Sequence, residues 1–117
     1  MAEARREERQ VINRYLRVFD GGSNKFVGYL VDITPHGAML QSKEAVEPEQ
    51  RLTLRVELPE EFDPSRELVV EAQSVWDKKE ENALFHHTGF EFHDVSPDDQ
   101  DKIRRLMQVY KLEGLSH

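Results

Sequence analysis

In residues 52–58, LTLRVEL, the apolar Leu52, Leu54, Val56 and Leu58 alternate with Thr53, Arg55 and Glu57. Side chains of an extended chain point to opposite faces in turn, so a run of period two has one face to bury and one to leave in water. That is a half-buried strand, and the rest of the middle of the chain follows it less strictly. NRYLRVFD (13–20) is rich in β-branched and aromatic residues and runs into Gly21-Gly22, a turn signal. KFVGYLVDI (25–33) then restarts, so the two are expected to form a hairpin. GAMLQS (37–42) is short, RELVVEAQSVW (66–76) is long with a broken alternation, and ALFHHTGFEF (83–92) puts Phe90 and Phe92 on one face. PEEFDPS (59–65) is acidic with two prolines and reads as a surface loop. About six strands separated by turn signals predict a sandwich or a barrel.

The period changes near the end. In SPDDQDKIRRLMQVYKL, Ser96 is placed to cap a helix, Pro97 to open it, and Asp98 and Asp99 to face its positive end. Ile103, Leu106, Met107 and Tyr110 follow the spacing of one buried helical face, with Lys111 suited to the C-terminal end and Gly114 just beyond. A helix over 97–112 is expected to pack on the barrel as a lid or plug.

Composition narrows the function. A chain of 117 residues is one domain, and its net charge of −7 argues against a general nucleic-acid binder and against an anionic membrane surface. There is no cysteine for a disulfide or a thiolate metal site, no apolar signal-peptide core in MAEARREERQ, and no apolar run of membrane-spanning length. A soluble, cytoplasmic protein is expected. Residues 1–17 hold five arginines and three glutamates, a local balance of +2, which leaves −9 on the other hundred residues. The basic arm is either a solvated tail or a device for a small anionic ligand.

The residues suited to binding lie in that arm and in VDITPHGAML (31–40). Asp32 and Thr34 end an apolar strand, and Gly37 allows a tight backbone turn before the next one. Their oxygens can meet a ligand edge, Asp32 especially the paired N–H groups of a guanine; the competing reading is a local Asx-type cap. In the arm, RREER sets Arg5 and Arg9 four apart with Arg6 beside them, and Arg9 lies 23 residues before Asp32. Guanidinium groups suit phosphates through paired hydrogen bonds and stack on purine faces. RLTLR (51–55) repeats the spacing, but on a strand rather than in an arm.

With these residues in place, the chain resembles the PilZ domain family, receptors for the bacterial second messenger cyclic di-GMP. The family pattern is Arg-x-x-x-Arg followed some twenty to thirty residues later by Asp/Asn-x-Ser-x-x-Gly. Arg5, Arg9, Asp32, Thr34 and Gly37 stand at those positions, and SVW, TGFEF and the closing helix extend the resemblance over roughly residues 5–110. It implies a mainly β fold: a six-stranded antiparallel, split, Greek-key-like barrel over 12–92, a C-terminal helix and a flexible arm over 1–10. It also implies a cyclic dinucleotide clamped between arm and barrel. Arg5 and Arg9, with Arg6, would hold phosphates and stack on guanines; Asp32 and Thr34 would read guanine edges; Gly37 would keep the backbone close. Thr34 departs from the usual Ser, keeping the hydroxyl and adding a methyl.

Other residues have two readings each. Trp76 either stacks on a guanine at the barrel rim or is core or edge packing. His36 either lines the ligand site or points to water. His86, His87 and His93 with Glu91 superficially suggest a metal site. On a regular strand, however, His86 and His87 face opposite sides and His87 and His93 are about 20 Å apart, so no metal is expected. No cysteine nucleophile, phosphate loop or Gly-x-Ser-x-Gly elbow is present, and His36 with Thr34 and Asp32 is too local for a relay, so no catalysis is expected. The reading is a cyclic di-GMP receptor with no other cofactor, signalling through a separate effector protein, with no DNA or RNA partner and no membrane insertion. Its rivals are a ligand-free adaptor of the same fold and, less favoured by charge, a single-strand nucleic-acid barrel.

Overall fold

The computed structural model describes residues 16–79 and 83–109. The strands are β1 (Leu16–Asp20), β2 (Phe26–Thr34), β3 (Gly37–Ser42), β4 (Arg51–Glu57), β5 (Glu67–Lys78) and β6 (His86–His93), followed by the helix α1 (Pro97–Val109). Every pairing is antiparallel, and the strands close into a barrel in the order β1-β2-β3-β6-β5-β4. Two three-strand meanders, β1-β2-β3 and β4-β5-β6, are therefore joined along both sides, β3 to β6 and β1 to β4. The mainly β barrel with one C-terminal helix is the fold expected from the sequence. Of the sequence expectations, the arm over 1–10 with Arg5, Arg6 and Arg9, residues 12–15 of the barrel, and Tyr110, Lys111 and Gly114 lie outside the described residues.

The alternation of β4 survives intact. Leu54 and Val56 are buried, Leu58 follows just past the strand, and Leu52 is partly buried against the same core. Leu16, Val18, Ile33, Leu40, Leu68, Val70, Ala72 and Phe90 join them in the barrel interior. Each of these valine, leucine, isoleucine and phenylalanine side chains contributes about 1.5–3 kcal/mol by leaving water, so the inward rows hold the barrel together.

Two of the described strand boundaries differ from the sequence reading by more than one residue. β5 runs two residues beyond Trp76, and β6 begins at His86 rather than Ala83. The cause is a polar residue with partners on β6: Asp77 pairs across the sheet with Thr88 and accepts its hydroxyl at 2.7 Å, while His86 Nδ1 lies 2.7 Å from the other carboxylate oxygen. Burial works against the charge on Asp77, but the Thr88 hydroxyl, the His86 ring and the Val46 N–H outweigh it and hold the carboxyl below its ordinary value. In the β1–β2 hairpin the left-handed residue is Asn24, with φ 64°, and Asp20 accepts the Gly22 N–H at 2.8 Å.

α1 opens as its sequence predicts. The Asp99 N–H donates to Ser96 Oγ at 3.1 Å, and the Ser96 hydroxyl returns a bond to the Asp99 carboxylate at 3.0 Å. The helix packs against β2 and β5, which are not neighbours in the barrel, so it lies across an open end. Ile103 and Leu106 are fully buried there. Lys102 and Arg105 reach Asp63 in the β4–β5 loop at 3.6 and 3.2 Å, and the Arg105 guanidinium lies 5.0 Å from the centre of the Phe62 ring.

Candidate ligand-binding groove

Strict alternation along β2 would put Leu30 and Asp32 on the same face. The register forbids it: Leu30 pairs with Leu40, but Asp32 pairs with Met39, so Val31 is an extra residue in a bulge. Leu30 and Ile33 both meet the core as a result, while Asp32 and Thr34 turn outward. β5 makes the same change. Ser74 pairs with Phe90 and Trp76 with Gly89, leaving Val75 as the extra residue. Ser74 and Asp77 then face inward and Trp76 faces out, which is the broken alternation visible in the sequence.

Polar contacts pin the second bulge. The Glu49 N–H donates to the Ser74 carbonyl at 2.6 Å, and the Ser74 N–H to the Gln50 carbonyl at 2.9 Å. The buried Ser74 hydroxyl donates to the Glu47 carbonyl and accepts the Gln50 N–H at 2.9 Å. With Asp77 held inward by Thr88 and His86, the indole between them can only face outward.

The bulges align two outward rows across neighbouring strands. One runs Asp32, Met39, Gly89, Trp76; the next runs Thr34, Gly37, Glu91, Gln73. Between them lies a hollow of about 350 Å³ lined by Asp32, Thr34, His36, Gly37, Met39, Trp76, Gly89 and Glu91 among others. That volume is within the usual range for a small-molecule site. Asp32, Thr34, His36, Gly37 and Trp76, the barrel residues that the sequence offers for ligand binding, are thus brought to one place.

Two glycines shape the floor. Gly37 has no positive φ; it is the first residue of β3, and the turn is made by Pro35 and His36. A Cβ at 37 would lie 2.2 Å from the Phe90 carbonyl oxygen, so what requires glycine is close approach of the β6 backbone rather than the turn expected from the sequence. At Gly89 a Cβ would lie 2.3 Å from Cε2 and 2.4 Å from Nε1 of Trp76. The indole therefore lies on the bare backbone of β6, and it remains 44% exposed. It is neither core nor a solvated rim residue: one surface is supported and the other is open.

The polar groups differ in how far they are already committed. The Thr34 oxygen accepts the His36 N–H at 3.2 Å, the local cap that competes with ligand recognition, yet its own O–H points to no acceptor among the described residues. Asp32 makes no side-chain hydrogen bond or ion pair among the described residues, so it does not form the Asx-type cap. The His36 carbonyl accepts the Phe92 N–H at 2.8 Å, which ties the turn to β6. Among the described residues the carboxylates lining the hollow are Asp32 and Glu91, and no lysine or arginine lines it.

Sequence reasoning did not single out Met39, Gly89 or Glu91 for this face. The available signal was parity: Gly89 and Glu91 alternate with the core residues Thr88 and Phe90. The remaining histidines are dispersed: His86 turns to Asp77, His87 to Gln41 at 3.2 Å, and His93 to Glu91 at 3.7 Å. Among the described residues no group of three or more His, Cys, Asp or Glu is placed to hold a metal ion, and no helix is long and apolar enough to cross a membrane.

Comparison with known proteins agrees with this architecture. Among curated proteins no sequence matches the chain. Among solved structures, the inhibitor of motility MotI/DgrA of Bacillus subtilis superposes with a TM-score of 0.66 at 17% identity, over 89% of this chain and 49% of that one. The chain thus spans about half the length of that protein. The PilZ domain of YcgR from Escherichia coli, solved with c-di-GMP, superposes with a TM-score of 0.62 at 17% identity, over 87% of this chain and 83% of that one. MrkH of K. pneumonia in its apo state gives 0.62 at 17% identity, over 87% and 48%. The family model for the PilZ domain matches residues 3–108, nearly the whole sequence. The chain belongs to the PilZ domain family.

Proposed function

We propose that this protein is a cyclic di-GMP receptor that binds rather than catalyses, and that it passes the signal to a separate protein. The observation that carries this reading is the groove itself, which pairs an open aromatic surface on Trp76 with the Asp32 carboxylate, without a partner among the described residues, one row apart from the Thr34 hydroxyl. A guanine offers those partners a π-face and an N–H edge. The E. coli relative solved with c-di-GMP supports the choice of ligand.

The charge of the groove supports a role for the arm. Two phosphates cannot be neutralised by a hollow whose charged lining is acidic, so the cations must come from elsewhere. Leu16, the first residue of β1, pairs with Leu30, two residues from Asp32, so the chain joins the barrel beside the groove. Arg9 is seven residues before Leu16, a reach of up to about 23 Å in extended chain. Arg5, Arg6 and Arg9 would then close over the ligand from the side the groove leaves open.

The test is titration of the full chain with cyclic di-GMP by calorimetry, together with backbone order parameters. Saturation is expected to raise the order of residues 5–9, and added salt to weaken both binding and ordering, because the closing contacts are between charges. No heat and no shift on titration would favour the ligand-free adaptor. Binding with unchanged order at residues 5–9 would remove the arm from the mechanism.

A further inference from the structure

Cyclic di-GMP carries two guanines, and the reading above gives one carboxylate, Asp32, to their edges. A second carboxylate lines the same hollow. Glu91 stands on β6 two residues beyond Gly89 and faces outward with it, between Gly37 of β3 and Gln73 of β5. Gly37 has no side chain to cover it, and Glu91 is exposed. Its carboxylate makes no hydrogen bond among the described residues. The row runs on through Gln73 to Arg51 of β4, and these two side chains form no ion pair with each other or with Glu91 among the described residues.

Register decides which acid lies nearer the stacked base. The indole of Trp76 rests on the backbone at Gly89. From Gly89, Asp32 is two strand pairings away through Met39, about 10 Å at the usual spacing between strands. Glu91 is two residues along the same strand, about 7 Å away, and has the longer side chain. A base on the open side of the indole therefore lies nearer to Glu91 than to Asp32. Glu91 also has a support in waiting. His93 Nε2 is enclosed without a hydrogen-bond partner among the described residues, and it lies 3.7 Å from Glu91 Oε1. The acid opposite His93 on β5, Glu71, accepts the Thr53 hydroxyl at 2.8 Å. A small turn of Glu91 would bring His93 within bonding distance. A carboxylate has about four acceptor sites, so one bond from His93 leaves enough for both N–H groups of a guanine edge.

We propose that Glu91 determines base specificity: it accepts the ring N–H and the amino N–H of the guanine stacked on Trp76, and so excludes adenine from that place. The inference rests on the receptor reading and names how its site chooses a base. Adenine turns a bare ring nitrogen and an amino group to the same edge, so one carboxylate oxygen would face a lone pair. A site built to accept two N–H groups rejects the base that lacks one of them. The acidic lining of the hollow then serves base selection, while the phosphates are left to the arm.

The test is calorimetry on the full chain with cyclic di-GMP and with cyclic GMP–AMP, in which adenine replaces one guanine. The parent should hold cyclic di-GMP about tenfold more tightly than cyclic GMP–AMP, or better. Glu91→Gln should weaken cyclic di-GMP about tenfold and leave cyclic GMP–AMP unchanged or improved, because an amide can pair with an adenine edge. Glu91 is exposed, so the melting temperature should stay that of the parent. Proton NMR of the parent complex should show both guanine ring N–H protons protected from exchange, one lost in Glu91→Ala and the other in Asp32→Ala. Equal losses for the two ligands in Glu91→Gln would assign Glu91 to the arm or to general charge and overturn the proposal. So would an unchanged affinity for cyclic di-GMP, or a parent that binds the two ligands equally. A parent that binds neither would overturn the receptor reading itself, and this proposal with it.

Discussion

Adding one methyl group at residue 89 tests the groove most sharply. In Gly89→Ala the new Cβ would sit 2.3 Å from Cε2, 2.4 Å from Nε1 and 2.7 Å from Cζ2 of Trp76. Contacts of this kind settle near 3.5 Å, so the indole must withdraw by roughly 1 Å or swing away. It is 44% exposed and has room to do so, which keeps the cost to the fold at or below the low end of overpacking, about 1 kcal/mol. Binding would suffer more. A base stacked on an aromatic side chain contributes about 1–3 kcal/mol, and losing it weakens the dissociation constant by roughly five- to 150-fold. Gly89→Ala is therefore expected to unfold almost like the parent and to lose most of the cyclic di-GMP affinity that Trp76→Ala loses. In the double variant there is no indole to displace, so it should bind like Trp76→Ala alone. Calorimetry measures the affinities, and the emission of the single tryptophan reports its surroundings directly. Parent-like binding and unchanged emission in Gly89→Ala, or losses that simply add in the double variant, would refute the platform.

Other expectations follow from the same geometry. Thr34→Ser should bind cyclic di-GMP nearly as the parent does. Thr34→Val loses both the turn bond to His36 and any bond to ligand, and calorimetry should show a loss of about 0.5–1.5 kcal/mol or more. Arg9→Ala should cost about 1.5–3 kcal/mol of binding, while Arg55→Ala, in the repeated spacing on β4, should leave binding unchanged; equal effects would end the assignment. Asp63 gives a prediction about pH. The Ser65 hydroxyl above all, with the Ser65 N–H, Arg105 and Lys102, overcomes burial and lowers its carboxyl from 3.8 to about 2. A carboxyl lowered by folding adds stability above its unfolded value and loses it as the folded value is passed. Melting temperature should thus fall between about pH 4 and pH 2, and Asp63→Asn should be less stable at neutral pH with a flatter decline across that window.

The strands were legible because alternation is a local property. β4 and β3 were placed within a residue, and the caps of α1 are written in Ser96, Pro97 and Asp99. The chain partners that decide parity were not legible. Nothing in SVWDK states that Asp77 is bonded to Thr88 and His86 across the sheet, so the sequence reading ends the strand at the tryptophan. The bulge at Val31 likewise depends on pairing with β3, yet it decides that Asp32 is a surface carboxylate rather than a buried one. Gly37 was noticed for the wrong physical reason: its constraint is a carbonyl oxygen on a strand distant in sequence. Asp32, Thr34 and Gly37 are legible together as a spaced motif, Trp76 and His36 only as residues with two readings each, whereas Met39 enters through cross-strand register.

Closure of the barrel bears on how anything can recognise this protein. An open sheet ends in a strand whose N–H and C=O groups invite another chain to add itself, the route many modules use to capture peptides and the route by which sheets aggregate. Here β1 pairs with both β2 and β4, and each of the six strands has two hydrogen-bonded neighbours. Among the described residues no strand is left as an open edge along its whole length. Any recognition of these strands then falls to side chains, which differ between this barrel and one of the same fold at 17% identity. A backbone-reading partner would have little with which to tell the two apart.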